Sequence, residues 1–120
     1  MQKGPAGWSK ASPALIEAFS ATLAEMAGAE RRQMFGFPAA FVNGNLFTGL
    51  FQDRWFVRLP DDALAELTAR GGTPFEPMPG RAMKGYLAMP AEILADADER
   101  RRWLDRAFVH VAGLPPKPRR

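Results

Sequence analysis

Apolar positions near the start of the chain recur with the period of a helix. Within residues 12–28, one face of such a helix would carry Leu15, Ile16, Phe19, Leu23 and Met26. Ser12 is placed to cap the first turn, Pro13 suits the first helical position, and Gly28 is available past the end. The pattern therefore predicts an amphipathic N-terminal helix.

The next segment has no charge over the twenty residues from Gln33 to Gln52. That length would suffice for a membrane span, but the tripeptide Asn43-Gly44-Asn45 would then lie at the bilayer centre, where unpaired amides are costly. Asn-Gly instead favours a tight turn, because both residues tolerate positive φ. We therefore expect no membrane span, but a β-hairpin that joins strands near 34–42 and 45–51.

Gly36 and Pro38 fall inside the first of these strands. In that position the two residue types indicate a close backbone approach, a bulge or a sheet edge. Residues 54–59, with the sequence RWFVRL, return as another strand whose side chains alternate between two faces. Three consecutive strands predict a three-strand meander.

After residue 60 the sequence predicts a helix, one strand and a final helix. Residues 61–72 predict a short helix capped by Asp61, and a loop at 76–81 leads to one strand near 82–88. The final helix, 96–113, has acids in its first turn and an apolar stripe of Trp103, Leu104, Ala107, Phe108 and Val111. The predicted class is α+β: a mainly antiparallel sheet, with the meander plus one or two later strands, packed with N-terminal, middle and C-terminal helices.

The chain length and the cysteine count fit one domain in a reducing compartment. A chain of 120 residues and 13.2 kDa can build one core, and we expect a single domain over 1–120 with flexible segments at 1–11 and 115–120. The absence of cysteine is compatible with a cytoplasmic protein. Glu17 and Glu25 interrupt the apolar stretch that an export signal would need, so we expect the mature chain to start at Met1.

Charge is concentrated at the C-terminus. The net charge is +3, and the last twenty-one residues hold seven basic residues against the single acid Asp105. The candidate nucleic-acid or anion contacts are Arg100, Arg101, Arg102, Arg106, Lys117, Arg119 and Arg120. A solvated terminus with partly paired arginines is the preferred interpretation, and direct nucleic-acid binding is the alternative.

The chain offers little for catalysis. His110 is the one histidine, at the edge of the apolar stripe, and the acids cluster at helix starts, where capping explains them. We therefore expect a non-enzymatic protein without a metal or cofactor. Arg58, Arg81 and Lys84 form a third candidate, a partner surface or small anionic ligand site, provided that the strand at 54–59 neighbours the later strand.

Several short motifs occur in order between about residues 31 and 118. They are Met34-Phe35-Gly36, Phe41-Val42-Asn43-Gly44-Asn45, Val57-Arg58, Gly80-Arg81, Met83-Lys84-Gly85-Tyr86, Trp103 and Leu114-Pro115-Pro116-Lys117. Together they resemble the N-terminal domain of the TfoX/Sxy family, specifically its short members that consist of this domain alone. The structural signature is Met34, Phe35, Gly36, Asn43, Gly44 and Trp103.

The resemblance implies an α+β domain and a link to gene regulation. Full-length TfoX/Sxy proteins are bacterial positive regulators of competence genes that work with the cyclic-AMP receptor protein. By this resemblance we expect protein partners in the transcription machinery, with nucleic-acid contact and a homodimer as further options. Two departures bear on function: the sequence lacks the family's C-terminal domain, and Phe37 replaces the glycine that commonly follows Met-Phe-Gly.

Overall fold

Four helices and six strands follow one another through residues 11–117, the part of the chain that the computed structural model describes. In chain order they are α1 (Pro13–Ala24), β1 (Glu30–Met34), β2 (Phe37–Val42), β3 (Asn45–Phe51), β4 (Arg54–Arg58), α2 (Asp61–Ala69), β5 (Thr73–Pro74), β6 (Tyr86–Ala88), α3 (Ala91–Leu94) and α4 (Ala97–Ala112). The predicted α+β class is confirmed.

The strands form one antiparallel sheet in the order β1-β2-β3-β4-β6-β5. Its consecutive part is a four-strand meander, so the prediction of three strands was one short. The missing strand is β1, with the sequence ERRQM, which lies at the sheet edge and is mostly exposed. An edge strand with little to bury shows no apolar alternation, and for this reason the pattern did not reveal it.

The predicted strand at 34–42 is divided by a turn at Phe35-Gly36. Both residues have positive φ, 58° and 79°, as in a type I′ hairpin turn, and Met34 pairs with Phe37 across it. The interpretation of Gly36 as a bulge or edge residue within a strand was therefore wrong. The second turn, Asn43-Gly44, has the predicted conformation, with φ of 53° and 82°.

Pro38 lies in β2, which is an inner strand rather than an edge. Its partner on β1 is Gln33, and its missing N–H would have pointed to β3, where the recorded pairing begins one residue later at Ala39 with Gly49. Pro38 therefore interrupts no hydrogen bond of the β2–β3 ladder, which begins at Ala39. Since a two-residue turn closes on a hydrogen-bonded pair, Met34 and Phe37 bond to each other while Gln33 and Pro38 do not.

The helices cover one face of the sheet and bury its main core. A bulge opposite the junction of Ala40 and Phe41 leaves Phe47 unpaired and turns it toward α4, where its ring meets Phe108 at 5.3 Å. Trp55 is fully buried beneath α1, 5.2 Å from the ring of Phe19. The Trp55 indole donates to the buried Thr48 hydroxyl at 3.0 Å, so this core polar group is satisfied.

The opposite face holds a smaller aromatic core under the segment from 73 to 85. The Phe56 ring lies across Gly49, where an added Cβ would come within 2.7 Å of it. Phe75 stacks on Phe56 with centroids 4.0 Å apart and planes inclined by 12°. Tyr86 closes the cluster and donates from its hydroxyl to the carbonyl of Leu46 at 3.3 Å. A glycine at 49 is therefore what allows an aromatic layer here.

The helix starts match the sequence in two of three cases. Ser12 accepts a hydrogen bond from the amide of Leu15 at 3.1 Å, as predicted. Asp96 caps α4 by accepting from the amides of residues 98 and 99. Asp61 does not cap α2, because Pro60 occupies the N-cap position and makes no side-chain bond. Asp61 instead lies in the first turn, where its charge suits the helix dipole.

The C-terminal segment lies on the Asn43-Gly44-Asn45 turn. The Lys117 amide donates to the carbonyl of Asn43 at 2.8 Å, and the Asn45 side chain donates to the carbonyl of Pro115 at 3.0 Å. Gly44 faces the Lys117 carbonyl so closely that a Cβ could not fit. Residues 115–117, expected from the sequence to be flexible, thus have a docking site, while 118–120 lie outside the described residues.

We expect Gly44→Ala to destabilise the domain by about 2–3 kcal/mol. The positive φ accounts for about 1–2 kcal/mol, and the rest comes from displacing the Lys117 carbonyl. Chemical denaturation measures the loss. Gly80→Ala is the matched control, because Gly80 has nearly the same φ, +77°, but no described residue within 4 Å of an added Cβ.

A double-mutant cycle isolates the contact with the tail. In a chain that ends after residue 114, the cost of Gly44→Ala should fall to the cost of Gly80→Ala, because the obstructing carbonyl is gone. An undiminished cost in the shortened chain would contradict the docking of the tail on this turn.

Candidate functional site

Most arginines of α4 are engaged inside the domain. Arg101 forms ion pairs with Glu25 at 3.2 Å and with Asp105 at 2.9 Å. Arg106 pairs with Glu66 at 2.9 Å, and its guanidinium lies 4.5 Å from the centre of the Trp103 ring. These contacts link α4 to α2 and to the end of α1, so both charges are partly neutralised before any ligand arrives.

Arg100 and Arg102 are two residues apart on α4 but differ in environment. Arg100 is half-buried and donates to the carbonyl of Leu94 at 2.7 Å, with its guanidinium 5.3 Å from the centre of the Trp55 ring. Arg102 is exposed and forms no ion pair within residues 11–117. Of the four helix arginines that are candidate nucleic-acid or anion contacts, Arg102 is the one that is both exposed and without an ion pair in the part of the chain that the structure describes. Lys117 has an exposed side chain, whereas Arg119 and Arg120 lie outside the described residues.

Two carboxylates on this side of the domain are held in their charged form. The pKa of Glu66 is lowered chiefly by the hydrogen bond from Arg106. The pKa of Glu99 is lowered chiefly by Arg70, whose guanidinium donates to both carboxylate oxygens. Glu66 is exposed and Glu99 is half-buried at the surface, where water screens both pairs, so they orient the helices more than they stabilise the fold.

Arg58, Arg81 and Lys84 lie in and beside the neighbouring strands β4 and β6. The predicted site required β4 to neighbour the later strand, and it does, because Arg58 pairs directly with Tyr86 of β6. The Arg58 guanidinium lies 5.7 Å from the centre of the Tyr86 ring, and burial is the main cause that raises the pKa of the Tyr86 hydroxyl. Arg81 and Lys84 are exposed in the preceding loop. Ligand binding by these three cations stays a prediction.

Phe35 is the most unusual side chain on the surface. It is 53% exposed, and it occupies a left-handed turn position, with φ of 58°, that favours Asn or Gly and is strained for a bulky residue. Its ring meets Phe51 edge-on at 5.7 Å. A strained, exposed aromatic residue costs the isolated domain stability, and such residues occur preferentially at functional surfaces.

Further aromatic residues adjoin Phe35 at the same end of the sheet. Phe51 contacts the rings of Phe37 at 5.3 Å and Phe75 at 5.6 Å. We call Phe35, Phe37, Phe51 and Phe75 the aromatic end of the sheet. Beside it lies an open pocket of about 330 Å³, lined by Phe51, Gln52, Arg54, Thr73, Pro74, Phe75 and Glu76. The sequence gave no indication that Phe35 would protrude.

The edge strand β1 continues this surface. Arg31 reaches toward α1 on the helix side, with a long hydrogen bond of 3.5 Å to the carbonyl of Ser20. Arg32 points to the opposite side, where its guanidinium lies 5.1 Å from the centre of the Phe41 ring and pairs with Glu30 at 3.1 Å. An exposed edge with cations on both faces therefore leads directly to Phe35.

Residues 11–117 give little support for a metal site or a membrane span. No group of three His, Cys, Asp or Glu side chains among them is arranged to hold a metal ion. No helix within that range is both long and apolar enough to cross a membrane, and the uncharged run forms strands β2 and β3 instead. The features that stand out are surfaces: the aromatic end, the β1 edge and the unpaired Arg102.

Comparison with known families agrees with this architecture. The family model described as the TfoX N-terminal domain matches residues 21–111, well over half of the chain. The chain belongs to this family. A search of curated proteins found no significant match.

The motifs that suggested the TfoX N-terminal domain have structural roles in this chain. Met34-Phe35-Gly36 closes the first hairpin, and Asn43-Gly44 forms the second turn and receives the C-terminal segment. Trp103 lies on α4 and is buried in the main core, with 3% exposure. Of the family signature, Phe35 alone is a large exposed side chain, because Met34 is half-buried and Trp103 fully enclosed.

Arg100→Ala should destabilise the domain by about 1–2 kcal/mol, since it removes a charged hydrogen bond to a half-buried carbonyl and the packing against Trp55. Arg102→Ala, the matched control two residues further along the same helix, should change stability by no more than about 0.5 kcal/mol. Urea denaturation compares the two. Equal losses would contradict the structural role of Arg100.

The Glu99 carboxylate should titrate below its ordinary value of 4.5 in the folded domain. Because its folded pKa is lowered, the pair with Arg70 stabilises the fold above the unfolded pKa, and the contribution is lost as pH falls through the folded pKa. Side-chain NMR titration of Arg70→Gln should show the Glu99 pKa moving back up. Arg106→Gln should instead raise the Glu66 pKa and leave Glu99 where it was.

Proposed function

We propose that this TfoX N-terminal domain is a non-enzymatic interaction module that acts in transcription or competence regulation through protein contacts in the bacterial cytoplasm. The observation that carries the proposal is the position of Phe35. An exposed ring on a strained turn, supported edge-on by Phe51, is a suitable anchor for a protein partner.

The turn chemistry strengthens this argument. Asn at the same position would satisfy the left-handed conformation with little strain, as Asn43 does in the next turn of the same sheet. The chain thus has a favourable residue, Asn43, at the first position of one turn and an unfavourable residue, Phe35, at the same position of the other. A contact made by the aromatic ring would explain why Phe35 occupies the unfavourable one.

The charge pattern of α4 favours protein contacts over direct nucleic-acid binding. Arg101 and Arg106 are in ion pairs and Arg100 is half-buried, so few cations remain for phosphates on that helix. Nucleic-acid binding stays a prediction with its own test. It requires log affinity to fall by roughly 0.7 to 0.9 per phosphate contact for each tenfold rise in salt, and to weaken on Arg102→Ala.

The proposal is tested by comparing partners of the wild-type domain and of Phe35→Asn in lysate from its host. The wild type should recover a transcription factor or RNA polymerase component that Phe35→Asn loses. Phe35→Asn should keep its stability within about 1 kcal/mol, because a better turn residue offsets the lost contact with Phe51. Loss of binding would then not be due to unfolding.

Val109→Thr provides the matched control on another surface. Val109 is 70% exposed on α4, so this change also removes an exposed apolar group but leaves the aromatic end intact. It should recover the same partner as the wild type. Equal recovery by all three proteins, or recovery of abundant background proteins alone, would contradict the proposal.

A further inference from the structure

The edge of β1 has a fixed pattern of free main-chain groups. The Phe35-Gly36 turn closes on Met34 and Phe37, and Gln33 faces Pro38, which has no N–H to donate. Hydrogen bonding to β2 therefore comes from every second residue of β1, including Met34. The alternate residues, Arg31 and Gln33, direct their N–H and C=O groups away from the sheet.

These outward groups have no partner within residues 11–117. β1 is the first strand in the sheet order, and no backbone bond from Arg31 or Gln33 to a loop or helix is formed there. Both side chains are exposed. The two residues lie roughly 7 Å apart along the strand, so they match alternate residues of another extended chain. The edge can thus accept a further strand through main-chain hydrogen bonds.

The two faces of this edge differ in chemistry. On the helix side, Arg31 has no carboxylate partner among the described residues, only the long bond to the carbonyl of Ser20. On the other side, Arg32 is already paired with Glu30 and lies over Phe41, and the surface continues to Phe35. An incoming strand would therefore meet, on one face, a cation without a carboxylate partner among the described residues. On the other face it would meet a neutralised ion pair and then the aromatic ring of Phe35.

We propose that β1 binds an extended segment of a protein partner in which acidic residues alternate with apolar ones. The acidic residues face Arg31, and the apolar ones pack on the Arg32 stem, which covers Phe41, and toward Phe35. The segment becomes a seventh strand of the sheet. This inference rests on the proposed function and specifies the partner segment and its mode of binding.

A second copy of the chain fits this edge less well. It would bring its own Arg31 and Arg32, the same excess of positive charge, to an edge whose Glu30 is already paired. An acidic segment instead supplies the charge that the edge lacks. The oligomeric state of the free domain is therefore one of the measurements below.

A labelled, capped hexapeptide of alternating Glu and Val is the probe, and its Lys-Val counterpart is the control. Fluorescence anisotropy should show saturable binding of the Glu-Val peptide and about tenfold or weaker binding of the Lys-Val peptide. By NMR hydrogen exchange, the Arg31 and Gln33 amides should exchange rapidly in the free domain and become protected on binding. The Met34 amide should be protected in both states.

Gln33→Pro is the decisive variant, because it removes an outward N–H without removing a bond to β2. It should weaken peptide binding by about tenfold while the circular dichroism spectrum stays unchanged. If Gln33→Pro does not fold, Arg31→Glu serves instead, and it should reverse the preference between the two peptides. Wild-type binding by a folded Gln33→Pro variant would overturn the proposal.

Other results would overturn it as well: no saturable binding, protection confined to residues outside β1, or a free domain that is already a dimer with Arg31 and Gln33 protected. The two proposals can fail separately. If a transcription protein is recovered but its binding leaves the Arg31 and Gln33 amides unprotected, the edge inference fails and the proposed function stands. If the peptide binds as expected but no transcription protein is recovered, the proposed function fails.

Discussion

Two consecutive two-residue turns, Phe35-Gly36 and Asn43-Gly44, fix the register of the meander on which the other elements are placed. Each turn requires positive φ at both central positions, and each closes on a single pair of residues. Because side chains alternate along a strand, these two closures decide which residues of β1, β2 and β3 face the helices. They also decide which main-chain groups of β1 remain free.

The two turns lie at opposite ends of β2, the strand that they share, and they have different surroundings. Asn43-Gly44 is covered by residues 115–117, so its conformation supports tertiary contacts inside the domain. Phe35-Gly36 has no such cover from residues 11–117, since none of them lies within 4 Å of a Cβ added at Gly36. A strained turn with an exposed aromatic residue is a poor choice for stability alone, which makes this end of the sheet the better candidate for function.

Positive charge in this domain divides into structural and available groups. On α4, ion pairs with Glu25, Glu66 and Asp105 hold the helix against its neighbours. On β1, Arg31 lacks such a partner among the described residues and stands beside free backbone groups. A count of charges along the chain gives these arginines equal weight. Their usefulness to a partner depends on what each already contacts.

The sequence alone determined the α+β class, the amphipathic helices, the Asn43-Gly44 turn and the family motifs, because helical periodicity and turn preferences are local properties. It did not reveal β1, it ran one strand through the Phe35-Gly36 turn, and it could not show which α4 arginines are already paired. Those features depend on contacts between distant residues: Arg106 with Glu66, Gln33 opposite Pro38, and Phe35 against Phe51. Exposure and pairing are decided by tertiary packing, which no local pattern contains.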